Sequence, residues 1–265
     1  MLPPPAQRSA ALVTGASSGI GVAIARELTD RGHHVVLVAR RAEQLEQVAA
    51  ALSGPSSVLP TDLSRRDERA ILPERVAALG LSVNILVNNA GLTTMGPVAD
   101  ADADAELNLI EVDVAAVVDL CTRFVPQMAS RRMGAVLNVA SVAAFGPLPG
   151  QAAYGAAKAF VLSYTQALRQ ELADAGVSVA ALCPGPVHTE FIEAAGLSRA
   201  DTDVMLLKPL WVSAEDVART AIEGLAAGRD VIVPGLPNRA AAAFYRLAPR
   251  RLLLPLLARN HPGLK

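Results

Sequence analysis

Residues 11–21 read ALVTGASSGIG, and the fold turns on how that stretch is read. An apolar run, ALVTG at 11–15, passes directly into glycines 15, 19 and 21, and a helical pattern follows over 20–31. Gly15, Gly19 and Gly21 permit a tight turn, close backbone approach, and close packing of a helix on a strand. Ser17, Ser18 and Ile20 belong to the same turn. The N–H groups that open such a helix, together with its dipole, favour a pyrophosphate. A glycine triplet alone is equally the mark of a structural loop. Here the context of a dinucleotide turn is complete: a strand before it, a helix after it, and a second strand, HVVLVA at 34–39.

The same alternation continues along the chain. Strands are predicted at 57–62, 84–89, 134–141, 177–184 and 230–235, with helices over 41–53, 64–79, 102–131, 152–175 and 213–228. Most of these strands are continuously apolar, as strands covered on both faces must be. Strand, crossover helix, strand, repeated, gives a right-handed α/β fold: a Rossmann-like, doubly wound parallel sheet of about seven strands in a single domain. The expected organisation is a flexible N-terminal extension (1–9), a dinucleotide-binding catalytic domain (10–236) and an apolar C-terminal tail (237–265). The tail carries arginines and is expected to be broken at Pro249 and Pro255.

Composition excludes several function classes. Hydrophobic residues make up 52% of the 265, aromatics only 3%, and the net charge is −1, which gives no electrostatic case for nucleic acid. The two cysteines, Cys121 and Cys183, lack metal-ligand spacing; no metal is expected, and a reducing cytoplasm is. No uninterrupted apolar run reaches the ~18 residues of a membrane span, and the Pro-rich start lacks the apolar core of a signal peptide. Membrane contact is expected only through the C-terminal tail, where apolar area and arginines would both help. The alternative there is a tail packed on the protein or at a subunit contact.

The end of the second strand selects the cofactor. An acidic residue there would bind the ribose 2′-OH of NAD. This chain has Ala39, followed by Arg40 and Arg41. No carboxylate repels a 2′-phosphate, and a guanidinium can grip one. NADP(H) is therefore expected over NAD(H), unless both arginines merely start the next helix in solvent.

The fifth strand ends in NVAS, which leaves Ser141 at the carboxyl edge of the sheet, where open α/β sheets bind ligands. Tyr154 and Lys158 follow in YGAAK, one helical turn apart and on one face. Chance would produce a packed ring and a lysine snorkelling to water. Chemistry would produce a phenol acidified by its neighbouring ammonium and by an oxidised nicotinamide, exchanging a proton with a hydroxyl or carbonyl oxygen. Ser141 would hold and polarise that oxygen.

TGASSGIG, NNAG at 88–91, Ser141, YGAAK and CPGPVHT at 183–189 together resemble the short-chain dehydrogenase/reductase family, in its compact single-domain form. The motifs run in order over about residues 10–233. The resemblance implies that Tyr154 is the proton donor or acceptor, that Ser141 orients substrate, and that Lys158 binds the nicotinamide ribose while assisting Tyr154. It implies that Asp62 and Leu63 lie along the adenine and that Asn88, Asn89, Ala90 and Gly91 shape the cofactor wall. Pro184, Gly185, Val187 and Thr189 would meet the nicotinamide end. His188 gains no role and reads as a loop histidine. One departure stands out. Many members carry an Asn in a stretch resembling VNV, where it distorts the helix and holds a water linking the lysine to solvent. Here EVDVAAV places Asp113 there. It would either hold the same water in the catalytic set or be a solvated or ion-paired helix residue.

A substrate lid is expected over about 190–212, with apolar Phe191, Ile192, Leu197, Met205, Leu206, Leu207, Leu210 and Trp211. With Phe145, Pro147 and Leu148 it predicts a small apolar substrate, lipid-like, acyl or sterol-like, although these residues would also serve simply to pack the lid. Apolar positions on more than one side of the helices at 102–131 and 152–175 predict a homodimer or homotetramer. The function expected is interconversion of a ketone and a secondary alcohol. The alternative is a nucleotide-binding scaffold or sensor of the same fold without turnover.

Overall fold

The computed structural model describes residues 2–188, 208–260 and 264. Its β-branched and apolar runs form β1 (Ser9–Thr14), β2 (His34–Ala39), β3 (Ser56–Pro60), β4 (Ser82–Asn88), β5 (Gly134–Val139), β6 (Val177–Leu182) and β7 (Val231–Ile232). They pair in parallel as one seven-stranded sheet, in the order β3-β2-β1-β4-β5-β6-β7. Register follows side-chain alternation. Ala10, Leu12, Val36, Val38 and Val136 face one layer, and Ala11, Val13, Val35, Leu37 and Leu137 face the other.

Helices cover both faces. Against the second set lie α1 (Gly19–Asp30) and α2 (Ala42–Ala50), joined by a later helix at Ala214–Ala226, through Ile24, Leu28, Leu45 and Ile222. The first set is covered by α3 (Arg66–Ala70), α4 (Leu72–Ala78), α5 (Ala103–Ile110), α6 (Ala116–Ser130) and α7 (Ala152–Glu171); Leu72, Leu120, Phe124 and Val161 close that core. The helix at Ala214–Ala226 is α8, followed by α9 (Leu236–Leu247) and α10 (Arg250–Asn260). The sheet runs outward in opposite directions from β1 and β4. That reversal opens a crevice at the carboxyl ends of the strands, the ligand position of doubly wound sheets.

Several local expectations change. The helix expected over 64–79 divides into α3 and α4 around Ile71. The helix expected over 102–131 is interrupted by a π-helical turn, Glu111–Ala115, which carries Asp113 inward; π turns gather at functional sites for this reason. Within the expected N-terminal extension Leu2 packs on the core, Pro3 is buried and Ser9 already belongs to β1, while residues 4–8 are exposed. In the tail, the chain breaks at Pro249 as expected, but Pro255 lies inside α10. α9 is integrated with the domain, since its own Asn238 and Ala242 are buried.

Candidate functional site

The crevice is built first by Thr14, at the end of β1. Its hydroxyl donates to the Val87 carbonyl (3.3 Å) and accepts from the N–H groups of Asn89 (2.9 Å) and Ala90 (3.0 Å). One threonine thereby locks the end of β1 to the end of β4. Gly15 then turns at φ 63, and a Cβ there would lie 2.8 Å from the Ala90 Cα. A Cβ at Gly21 would collide with the Gly15 carbonyl oxygen, which is why α1 can approach the strand so closely. Ser18 opens α1 without capping it through its side chain, and the first turn holds no acidic residue. Its amides therefore remain available to an anion, with the helix dipole behind them.

Along the outer edge, Ala39 ends β2, and Arg40 and Arg41 are exposed beside the glycine turn. Arg41 Nη2 donates to Ser17 Oγ at 3.1 Å, so its guanidinium reaches back to the turn. Asp62 Oδ1 accepts from the Ser64 N–H (3.0 Å) and hydroxyl (2.8 Å). The Leu63 side chain joins the core and its carbonyl accepts from Arg69, so the side chain cannot lie along an adenine; only its main chain borders that edge. Asn88 is corrected likewise. Strand alternation turns its amide inward, where it donates to Asn138 Oδ1 (2.8 Å) and Cys121 Sγ (3.4 Å), and it contributes no side chain to the wall. Asn89 does contribute, by donating to the Thr14 carbonyl (2.9 Å) and the Gly15 carbonyl (3.3 Å).

The sheet edge brings Ser141, Tyr154 and Lys158 together. Ser141 is buried at the end of β5, accepts from the Ala143 N–H (3.1 Å), and hydrogen-bonds the Tyr154 phenol. Lys158 does not snorkel. It is 4% exposed, donates to the Val139 carbonyl at 3.3 Å, and sits 5.7 Å from the centroid of the Tyr154 ring. Its Nζ lies 2.9 Å from Asp113 Oδ2, and Asp113 Oδ1 accepts from the Leu92 N–H at 2.6 Å. Asp113 is 0% exposed. Of the readings open for it, the structure shows a direct ion pair with the lysine rather than a solvated helix residue. Gly91 lies over this pair, where a Cβ would come 3.1 Å from Nζ.

The electrostatics differ from expectation. Burial pushes the Tyr154 phenol above its ordinary value; Lys158 and the Ser141 hydrogen bond offset part of that rise, and Asp113 adds to it. The expected net acidification of the phenol is therefore not found in the protein alone, because burial outweighs the pull of the ammonium and the serine, and the nearby carboxylate adds to the rise. Lys158 itself is disfavoured by burial, but Asp113 and Tyr154 carry its pKa above the usual lysine value. Burial also pushes the thiols of Cys121 and Cys183 up to about 12.

At the far wall, the Pro184 carbonyl accepts from the Val142 N–H (3.0 Å), and Val187 is buried. Gly185 is held against Asn238 of α9, whose amide donates to the carbonyls of Leu210 (2.9 Å) and Pro234 (3.2 Å). A side chain at residue 185 would collide with that amide. Thr189, and Phe191, Ile192, Leu197, Met205, Leu206 and Leu207 of the expected lid, lie outside the described residues. Trp211 stacks on His188 (centroids 3.7 Å apart, planes at 4°), and the two line a cavity of about 560 Å³ with Gly19 and Arg26. Trp211 thus faces the glycine turn rather than Ser141. Beside Ser141 stand Phe145, capped by Arg246 of α9 at 4.7 Å, and Gly146, against Tyr245.

The family profile described as short chain dehydrogenase matches residues 9–199. This chain belongs to the short-chain dehydrogenase family. Sulfoacetaldehyde reductase 2 of Chromohalobacter salexigens is 37% identical to it over 216 residues, 78% of this chain and 84% of that one. A short-chain dehydrogenase from Sphingobium yanoikuyae, in complex with NADPH, superposes with a TM-score of 0.78 at 32% identity, over 93% of this chain and 95% of the other. The bulky-bulky ketone specific alcohol dehydrogenase of Comamonas testosteroni gives 0.73 at 26% identity, over 95% and 92%.

Three residues of this dehydrogenase site escaped the sequence reading. Thr14 stands inside the quoted motif, but its bridging of two strands depends on a partner some 75 residues away. Asn238 and Arg246 come from the tail, where no periodicity marks them. Among the described residues no helix is long and apolar enough to cross a membrane, and no cluster of three His, Cys, Asp or Glu would hold a metal ion.

Proposed function

We propose that this short-chain dehydrogenase uses NADP(H) to interconvert an apolar ketone and its secondary alcohol, with Tyr154 as the acid and base. Family membership makes it an oxidoreductase of CH–OH groups that depends on NAD(P); the choice of cofactor, the substrate class and the residue roles are the proposal. The observation that carries it is the convergence at the crevice of a phenol, the Ser141 hydroxyl bonded to it, and a buried lysine one turn away.

The chain fits a nicotinamide dinucleotide. Residues 15 and 21 have no room for a side chain, the first amides of α1 are uncapped, and its first turn carries no acid. The glycine turn with Ser17, Ser18 and Ile20 would hold the pyrophosphate, and Asp62 with the Leu63 main chain the adenine. Asn89, Ala90, Gly91, Lys158 and the loop Pro184–Val187 would hold the nicotinamide half, with Thr189 added from the motif. Arg40 and Arg41 favour a 2′-phosphate, because Arg41 already leans onto Ser17 and Ala39 presents no carboxylate. When bound, the cofactor supplies or takes up the hydride.

The protein's part is proton transfer and orientation. Ser141 Oγ donates to the substrate oxygen and holds it beside the phenol. In reduction Tyr154 gives its phenolic proton to that oxygen, and in oxidation it takes the proton back. Phe145, in the turn after Ser141, is buried in the core, Leu148 packs on Gly155 and Tyr245 on Gly146, and this apolar neighbourhood supports an apolar substrate. A homo-oligomer remains part of the proposal. Val117, Leu120, Phe124 and Val125 are buried in the core, but Leu107 and Ile110 of α5 and Phe160 of α7 are exposed and available to a second copy.

The test is turnover against binding. A panel of apolar ketones and 3-oxoacyl thioesters is assayed with NADPH and NADH, beside direct titration of both cofactors. Turnover of an apolar ketone with NADPH preferred is expected. Tight cofactor binding with no turnover across the panel would favour the scaffold alternative.

A further inference from the structure

We propose that Asp113 is a positioning residue which neutralises Lys158 and so keeps Tyr154 a proton donor into more alkaline solution, building the site for carbonyl reduction. The inference rests on the reading of Tyr154 as the acid and base. Its geometry is independent of that reading.

The π turn Glu111–Ala115 swings Asp113 off the helix surface and into the protein. Oδ1 accepts from the Leu92 N–H at 2.6 Å, while Oδ2 is buried without a hydrogen bond and meets Lys158 Nζ at 2.9 Å as an ion pair. At that separation the contact is direct, with no space for a water between the groups. Gly91 closes the pair from above, where even a Cβ would lie 3.3 and 3.4 Å from the two oxygens. An amide at this position would satisfy the same N–H but leave the ammonium's charge uncompensated beside the phenol.

The groups around the pair are few. Lys158 and Tyr154 face it from α7, the Val139 carbonyl from β5, and Cys183 from the end of β6. Arg246 of α9 acts on Cys183 from the substrate side. Glu111, on the same turn, points away to Arg69 at 3.1 Å, and Asp119 pairs with Arg69 and Arg123. Among the described residues Asp113 is therefore the carboxylate that faces Lys158. A buried ion pair is a poor stabiliser, because desolvation opposes the attraction, so stability does not account for an acid here.

The sign follows from the reaction. Reduction needs the phenol protonated, a condition met below the phenol's pKa and lost as pH rises through it. Lys158 lowers that pKa, whereas Asp113 raises it. Asp113 exerts this effect only while ionised, above its own pKa, which burial raises against the pull of Lys158 and Leu92. Replacing the charge should bring the alkaline loss of reduction, and the alkaline onset of oxidation, to lower pH.

The experiment compares full-length wild type, Asp113→Asn and Asp113→Glu. The pH profiles of kcat/KM are recorded for NADPH-dependent reduction of a ketone and for the reverse oxidation. In parallel, ionisation of Tyr154 is followed by ultraviolet difference titration without substrate, with Tyr154→Phe subtracted. Asp113→Asn should move both limbs and the phenol titration down by about one pH unit or more, while Asp113→Glu, which keeps the charge, should stay near wild type. The double variant Asp113→Asn/Lys158→Met supplies a check should Asp113→Asn not fold, since it removes both charges as a neutral unit and should move the phenol titration less than Asp113→Asn does, and not downward. An unmoved phenol in Asp113→Asn, or a phenol titration in the double variant that falls as far as in Asp113→Asn, overturns the inference. Absence of turnover in every variant would count against the ketone reading alone, because the phenol titration needs no substrate.

Discussion

Replacing Arg41 by alanine tests how the cofactor is chosen. In the structure its Nη2 lies 3.1 Å from Ser17 Oγ, so the guanidinium already stands at the mouth of the turn that would hold the pyrophosphate. A charge-assisted hydrogen bond to a phosphate contributes about 1.5–3 kcal/mol. Arg41 is exposed, and solvent screening reduces that to about 1–2 kcal/mol. At 1.4 kcal/mol per factor of ten, Arg41→Ala should weaken NADPH roughly 5- to 30-fold. NADH, which offers no 2′-phosphate, should change about twofold at most by the same accounting. Arg40→Ala should add to the loss, and the Arg41 effect should shrink at high salt because the contact is open to solvent. The assay is KM for each cofactor from initial rates with one ketone, with direct cofactor titration as a control. Equal weakening of NADPH and NADH, or none, would show that the arginines are solvated helix-start residues and that selection lies elsewhere.

Further outcomes follow from packing and burial. Gly21→Ala places a methyl group against the Gly15 carbonyl, so this variant should lose cofactor binding in titration even where circular dichroism shows it folded. Cys121 and Cys183 are buried, with thiols raised to about 12. An alkylating reagent at neutral pH should leave both unmodified by mass spectrometry until denaturant is added; rapid native labelling would contradict the packing.

The sheet and the glycine turn were legible because they depend on local pattern. β1, β2 and β6 are apolar on both faces, and Gly15 and Gly21 mark a close approach that other residues forbid. Ser141, Tyr154 and Lys158 were legible because a strand end and one helical turn fix their neighbourhood. Asp113 was located but not understood: its pairing with Lys158 depends on a π turn that no spacing rule announces and on a burial set by α7. Asn88 was assigned to the cofactor wall and Leu63 to the adenine from motif position alone, while strand alternation and the core claim their side chains. Asn238 was missed because its contact with Gly185 joins a loop to the start of α9, far apart in sequence.

The central claim is that the Tyr154 hydroxyl transfers the proton in a ketone–alcohol interconversion, and Tyr154→Phe tests it most directly because only one oxygen is removed. The account predicts that this variant still binds NADPH with near-wild-type affinity while ketone reduction falls by roughly 10²-fold or more, the usual contribution of a positioned acid or base. Equal rates in Tyr154→Phe and wild type would contradict it.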